Sequence, residues 1–282
     1  MVIGIIGLGL MGGSFGRTLV KQGHTVYGLD VSESAAEKAE MIKAVTDRLT
    51  ENNAGELDML VSAVNPSDFA AATGPFLPLL KDGATVLDFS GTKRGVVCEM
   101  RKMAERFKNL CFLGGHPMAG REFSGIEHSS ITLYNKASMI LVNVSADIFS
   151  LDKIKKFFLS LGFGEVVITT AENHDRMIAF TSQMCHVVSN AYIKSPTARE
   201  HFGYSAGSYK DMTRVARLNP DMWTELMLQN SDYLAGELAL FIENLKKYEK
   251  AIKDKDAKTL RALLADGNEI KLCIDSGSRS KC

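Results

Sequence analysis

The sequence predicts two halves: an α/β N-terminal half with a doubly wound, mostly parallel sheet, and an all-α C-terminal half. Three observations predict this. Short β-branched runs alternate with helical patterns up to about residue 148, and strand–helix–strand alternation builds a parallel sheet covered on both faces. Beyond that point, long segments show helical periodicity with few breakers. The length of 282 residues suits about two domains at roughly 150 residues each. The expected division is residues 1–150 and 151–282, with the junction inside the stretch 146–171.

Val2–Ile6 is the first expected strand. It runs straight into Gly7-Leu8-Gly9-Leu10-Met11-Gly12, and a helical pattern follows over 15–22. This is G-x-G-x-x-G in the strand–turn–helix context of a Rossmann unit. Gly7 permits the tight turn, Gly9 lets the backbone approach a pyrophosphate, and Gly12 lets the helix pack close to the strand. The helix N-terminus offers unpaired N–H groups to the phosphates. The second strand, Thr25–Leu29, ends in Asp30. An acid there accepts hydrogen bonds from the ribose hydroxyls and repels a 2′-phosphate. No arginine in Val31-Ser32-Glu33 welcomes that phosphate. The expected cofactor is NAD rather than NADP, held by Gly7, Gly9, Gly12 and Asp30; the bland alternative is a glycine turn without a ligand.

A helix over 35–42 and a strand over 59–64 come next, followed by Asn65-Pro66-Ser67-Asp68. That loop reads equally as a capped turn or as backbone contact to a cofactor. Further strands are expected at 85–89, 110–113, 139–144 and 166–169, with a helix over 96–107. The helical half comprises 172–194, 208–217, 220–248 and 256–273, and the small polar tail 276–282 is expected to fray. Asn219 and Pro220 read as the N-cap and first residue of the helix that carries Trp223.

Three segments look chemical. His116 lies in Gly114-Gly115-His116-Pro117, just past the strand 110–113. Ligands of open α/β sheets bind beyond the carboxyl ends of strands. A histidine there suits a base that takes a hydroxyl proton as hydride leaves the same carbon, and a turn histidine without a partner is the other reading. On the helix 172–194, Asp175, Ala179, Ser182 and His186 share one face, opposite Met177, Phe180, Met184 and Val187. Such a stripe serves a ligand, or Ser182 and His186 satisfy each other. Lys210 and Arg214 stack four residues apart, with Arg217 beyond. They form a clamp for two carboxylates or a solvated basic face.

Composition excludes several classes. Lys plus Arg (33) balances Asp plus Glu (33), so no general field draws the chain to nucleic acid or membranes. Five cysteines, without C-x-x-C spacing, suggest neither a disulfide framework nor a zinc site. No metal is expected, and a reducing cytoplasm fits best. The apolar N-terminus lacks a basic leader and a signal-type cleavage site, and no stretch approaches ~20 uninterrupted apolar residues.

Three segments in order, GGHPMAGREFSG (114–125), HDRMIAFTSQMCHVVSNA (174–191) and GSYKDMTRVARLNPDMW (207–223), resemble the prephenate/arogenate dehydrogenase family over nearly the whole chain. The resemblance implies NAD-dependent oxidative decarboxylation of a cyclohexadienol dicarboxylate in tyrosine biosynthesis. Prephenate is expected as the substrate, arogenate is the alternative, and a β-hydroxyacid or imine-type reductase is a more distant one. It implies that His116 takes the ring-hydroxyl proton and Arg214 holds the ring carboxylate. His186 and Lys210 would face the side-chain carboxylate, Ser182 the nicotinamide end, and Glu122 would close the site. It also implies a homodimer through the helical half. One departure is visible. Where the family has D-x-x-S-x-K, with a serine that holds the histidine, this chain reads Asp88-Phe89-Ser90-Gly91-Thr92-Lys93. Ser90, Thr92 or a water is left to take that part, and Ser90 is the expected residue. For an arogenate ammonium, Glu122 or Asp175 is the available carboxylate.

Overall fold

The computed structural model describes residues 1–121 and 123–277, which form two compact units, Met1–Ser231 and Asp232 onward. The first unit holds strands β1 (Val2–Ile6), β2 (Thr25–Leu29), β3 (Asp47–Arg48), β4 (Met59–Ser62), β5 (Thr85–Asp88), β6 (Cys111–Pro117), β7 (Ser138–Asn143) and β8 (Glu165–Thr169). They form one sheet in the order β3-β2-β1-β4-β5-β6-β7-β8. Among the described residues only the β6–β7 pair is antiparallel. The chain begins at the centre, steps outward to β3, then returns to β4. This places the reversal of strand order, where such sheets bind ligands, beside the glycine turn after β1.

Helices α1 (Leu10–Lys21), α2 (Glu33–Met41), α3 (Phe69–Thr73), α4 (Arg94–Arg106) and α5 (Ile148–Ser160) cover both faces. The period-2 alternation of strands decides which residue serves which face. Met59 and Val61 pack in the core that contains Phe15 of α1 and Phe158 of α5. Leu60, Val86 and Phe112 pack with Phe69 of α3 and Met100 of α4. The α/β class and the doubly wound, mostly parallel sheet match the expectation. The short strand β3 has no counterpart there, because two residues carry no readable periodicity. Strand β6 extends past the expected 113 through Gly114, Gly115 and His116 to Pro117.

The expected helix 172–194 is α6 (Ala171–Ile178), a π-helical turn (Ala179–Gln183) and α7 (Met184–Tyr192). Met177 and Phe180, expected inside, are 42% and 60% exposed. The expected helix 208–217 is α8 (Gly207–Thr213), tightening to a 3₁₀ turn at Arg214–Ala216. The expected helix 220–248 is two: α9 (Pro220–Gln229) and α10 (Ser231–Lys253). Asn219 caps α9 as its sequence suggests, accepting from the N–H groups of Asp221 and Met222. Asn230 interrupts the run because its buried side chain is engaged elsewhere, donating to the Asp175 carbonyl and Gln183 Oε1, both at 2.8 Å.

In the second unit, α10 is followed by α11 (Ala257–Asp275), capped by Asp256. Leu240, Leu245, Leu264 and Ile270 are exposed on these helices. Among the described residues no helix is long and apolar enough to cross a membrane. None of their His, Cys, Asp and Glu gather as a metal-holding group. Cys98, Cys111 and Cys185 are free thiols. Cys273 is disulfide-bonded, which the expectation of a reduced set did not include.

The glycine turn yields a stability test. A Cβ on Gly12 would lie 1.8 Å from the Gly7 carbonyl oxygen, a backbone atom that cannot rotate away. Overpacking of this kind costs about 1–3 kcal/mol or more. Gly12→Ala should lower the urea midpoint accordingly; an unchanged midpoint would refute the close helix–strand approach.

Candidate active site

At the carboxyl end of β1, Gly7 adopts φ +90°, a left-handed conformation that favours glycine. Gly9 precedes α1 with no side-chain cap, and a Cβ there would meet nothing within 4 Å. Open space in front of an uncapped helix start fits a pyrophosphate. Asp30 lies beside it. Its oxygens accept from the N–H groups of Leu8 at 2.7 Å and Ser32 at 2.8 Å. Each carboxylate oxygen has about two acceptor sites, so capacity remains for ribose hydroxyls. The four expected cofactor residues thus cluster where the adjacent strands β1 and β2 end and α1 begins.

His116 sits inside β6, opposite Ile140 of β7, and is half-buried. The glycines before it bring β6 close to the β5–α4 loop. A Cβ on Gly115 would lie 2.6 Å from the Asp88 carbonyl, and one on Gly114 3.2 Å from Lys93 Cδ. The loop is held by a fully buried ion pair, Lys93 Nζ to Asp88 Oδ2. Asp88 also accepts from Gly115 N at 3.0 Å and Ser90 N at 2.9 Å. Burial pulls the Lys93 ammonium below its ordinary range, and Asp88 opposes that pull.

The partner of His116 is a residue that sequence reasoning missed. His116 Nδ1 lies 2.8 Å from His174 Nε2, and His174 Nδ1 lies 2.7 Å from Asp175 Oδ1. His174 and Asp175 are 1% and 0% exposed. Asp175 also accepts from the backbone N–H groups of Lys93 (2.7 Å) and Arg94 (2.9 Å), and from Arg94 Nε (3.2 Å). It therefore caps α4 from a different helix, which favours its negative charge. Burial pushes its carboxyl up, but the His174 hydrogen bond and these N–H groups outweigh it and hold the pKa below the ordinary value. Burial, then His174 and Lys93, push His116 well below its ordinary 6.5. Burial also lowers His174, against the pull of Asp175.

Ser90 and Thr92 do not support His116. The Ser90 backbone is tied to Asp88, and Thr92 Oγ1 lies 2.6 Å from Gln229 Oε1. At the position of the family's serine, a Cβ on Gly91 would come within 3.2 Å of the Leu226 methyls, so Leu226 fills that space.

The π-helical turn breaks the stripe expected on one helical face. Asp175 is enclosed, whereas Ser182 is half-buried within the turn and its carbonyl accepts from His186 Nδ1 at 3.0 Å. The pairing is side chain to backbone, not between side chains. The His186 ring stacks on Trp223 at 3.7 Å, and both line a cavity of about 390 Å³ with Asn190, Lys194 and Met227. Lys210 and Arg214 are exposed and are not among that cavity's lining residues. The Arg217 guanidinium lies over the Phe123 ring at 5.4 Å. Glu122 lies outside the described residues. The adjacent pair His174–Asp175 inside a conspicuous motif was the available signal for the missed residue.

Two family models match. Residues 15–167 match "Prephenate dehydrogenase, nucleotide-binding domain", and residues 170–266 match "Prephenate dehydrogenase, dimerization domain". The chain is 28% identical to the cyclohexadienyl dehydrogenase of Zymomonas mobilis, covering 96% of this chain and 95% of that protein. It is 26% identical to the prephenate dehydrogenase of Lactococcus lactis, covering 96% and 77%. A crystal structure of the prephenate dehydrogenase from A. aeolicus in complex with hydroxyphenyl propionate and NAD+ matches with a TM-score of 0.82 and 25% identity, covering 97% and 98%.

The lowered histidines set the sign of a pH test. Above 6.5 both histidines are neutral in either state, and their burial is tolerated. As pH falls through 6.5, the unfolded chain binds protons that the folded protein refuses, so stability is lost toward acid. Melting should occur at a lower temperature at about pH 5.5 than at about pH 7.5. The difference should shrink in His116→Asn; an equal difference in the variant would contradict the assignment.

Proposed function

The chain belongs to the prephenate dehydrogenase family, and from that membership we propose that it converts prephenate to 4-hydroxyphenylpyruvate by NAD-dependent oxidative decarboxylation, a step of tyrosine biosynthesis. The observation that carries this reading is a half-buried, neutral histidine at a ligand-binding strand end, in a chain that matches both domain models. Gly7, Gly9 and Gly12 would hold NAD, with Asp30 toward its ribose, and NAD would supply the hydride acceptor. His116 takes the proton of the ring hydroxyl as the hydride departs from that carbon. The bond to the ring carboxylate then breaks, carbon dioxide leaves, and its electron pair completes the aromatic ring. The proton returns from His116 to the oxygen that has become phenolic, so the base is regenerated. Arg214 binds the ring carboxylate bidentately. In this reading His186 and Lys210 face the side-chain carboxylate and Ser182 the nicotinamide; Glu122, the remaining expected residue, lies outside the described residues.

Prephenate is favoured over arogenate by the state of Asp175. An ammonium on the side chain needs a carboxylate, and Asp175 is buried with its oxygens committed to Lys93, Arg94 and His174. That leaves Glu122 for the alternative. The working form in this reading is a homodimer made through 170–266, the stretch that matches the dimerization model, in the cytoplasm.

The direct test follows NADH absorbance with prephenate and with arogenate, each with NAD and NADP. Prephenate with NAD should turn over fastest, and no reduction with either substrate would overturn the reading. A general base contributes about 10²–10⁴-fold, so His116→Asn should lose kcat on that scale while NAD still binds. Arg214→Ala removes a charge-assisted bond of about 1.5–3 kcal/mol. It should raise KM for prephenate roughly 10- to 100-fold and leave NAD affinity unchanged; an unchanged KM would remove Arg214 from the site.

A further inference from the structure

Resting on the reading of His116 as the base, we infer that His174 is its positioning residue: a buried Asp175–His174–His116 relay orients His116 and fixes its tautomer, in place of the hydroxyl that Gly91 lacks. Asp175 is surrounded by donors: Lys93 N, Arg94 N, Arg94 Nε and His174 Nδ1. A carboxylate among donors accepts only, so the proton of a neutral His174 sits on Nδ1. Its Nε2 is then a lone pair, 2.8 Å from His116 Nδ1. That lone pair requires a proton on His116 Nδ1, which leaves His116 Nε2 bare. The ring nitrogen without a hydrogen-bond partner among the described residues is thus the one able to take a proton from a substrate hydroxyl.

The surroundings hold this order in place. Asp175 cannot swing away, because its oxygens cap α4. Asn230 ties the Asp175 carbonyl to the Gln183 side chain across the helix junction. Met118, Ile140, Val167 and Ile178 line a cavity of about 230 Å³ beside His174, so that flank is apolar, and burial disfavours the charged form of both imidazoles. The β5–α4 loop offers His116 no hydroxyl among the described residues. Leu226 occupies the space beside Gly91, Thr92 is bonded to Gln229, and Ser90 is held at its backbone by Asp88. When His116 receives the substrate proton, its Nδ1–H bond to the neutral His174 becomes charge-assisted, so the relay strengthens in the protonated state.

The test compares His174→Leu, which removes the acceptor, with His174→Gln, whose Oε1 can reach the Nε2 position and accept from His116. With prephenate and NAD, His174→Leu should lower kcat about 10- to 100-fold, part of the roughly 10²–10⁴ that a general base supplies, with KM and NAD affinity within about twofold. His174→Gln should recover most of the kcat at similar melting temperature. Because the relay acts only through His116, adding His174→Leu to His116→Asn should cost nothing further. Three results would overturn the relay: unchanged kcat in His174→Leu, equal losses in the Leu and Gln variants, or additive losses in the double variant. If His116→Asn alone retains full kcat, the base assignment fails instead, and the two failures are distinguishable.

Discussion

Asp175 is a buried carboxylate that joins two elements far apart in sequence. Its oxygens accept from the first N–H groups of α4 and from His174 on its own helix. An uncompensated carboxylate at that depth would cost several kcal/mol, so the donors and the acid depend on each other. Without it, two backbone N–H groups and one imidazole N–H would be left unsatisfied, at roughly 1–3 kcal/mol apiece. Asp175 thus ties the start of α4 to the ring of His174, while the Lys93–Asp88 pair holds the β5–α4 loop.

The chemistry inherits the same constraint. His116 stands on a central strand rather than on a mobile loop, with a buried ion pair, Lys93–Asp88, close beneath it. Desolvation disfavours a second positive charge there, so the free protein presents a neutral imidazole. A base must be unprotonated before the reaction and protonated during it. The fold favours the first state by burial, and in the proposed reaction the negative charge of the substrate would favour the second.

Much of this was legible in the sequence. Gly7, Gly9, Gly12 and Asp30 could be placed because the cofactor turn is local: strand, turn, helix and acid are contiguous in the chain. His116 stood out for a similar reason, although its strand continues through two glycines that ordinarily mark a turn. Tertiary effects were not legible. Asp175 looked like a member of a polar stripe awaiting a ligand, yet it caps α4. The π-helical turn at Ala179–Gln183 shifts the helical register, so residues spaced four, three and four apart no longer share a face. Asn230 ends a helix whose periodicity runs on, because its amide is claimed by α6 and the π-helical turn. His174 went unassigned because the ring it meets is 58 positions away, a pairing that no spacing rule encodes. The hydroxyls flanking Gly91 were natural substitutes for a missing serine, but Thr92 faces Gln229 and Leu226 closes the gap.

The account turns on His116 being a neutral base with a bare Nε2. Nitrogen NMR of the imidazole rings across a pH titration observes that state directly, with His116→Asn identifying the resonance. The account predicts that His116 in the free protein remains neutral and Nδ1-protonated through pH 6.5 and titrates only below it. Titration at or above 6.5, or a ring protonated at Nε2 near neutral pH, would contradict it.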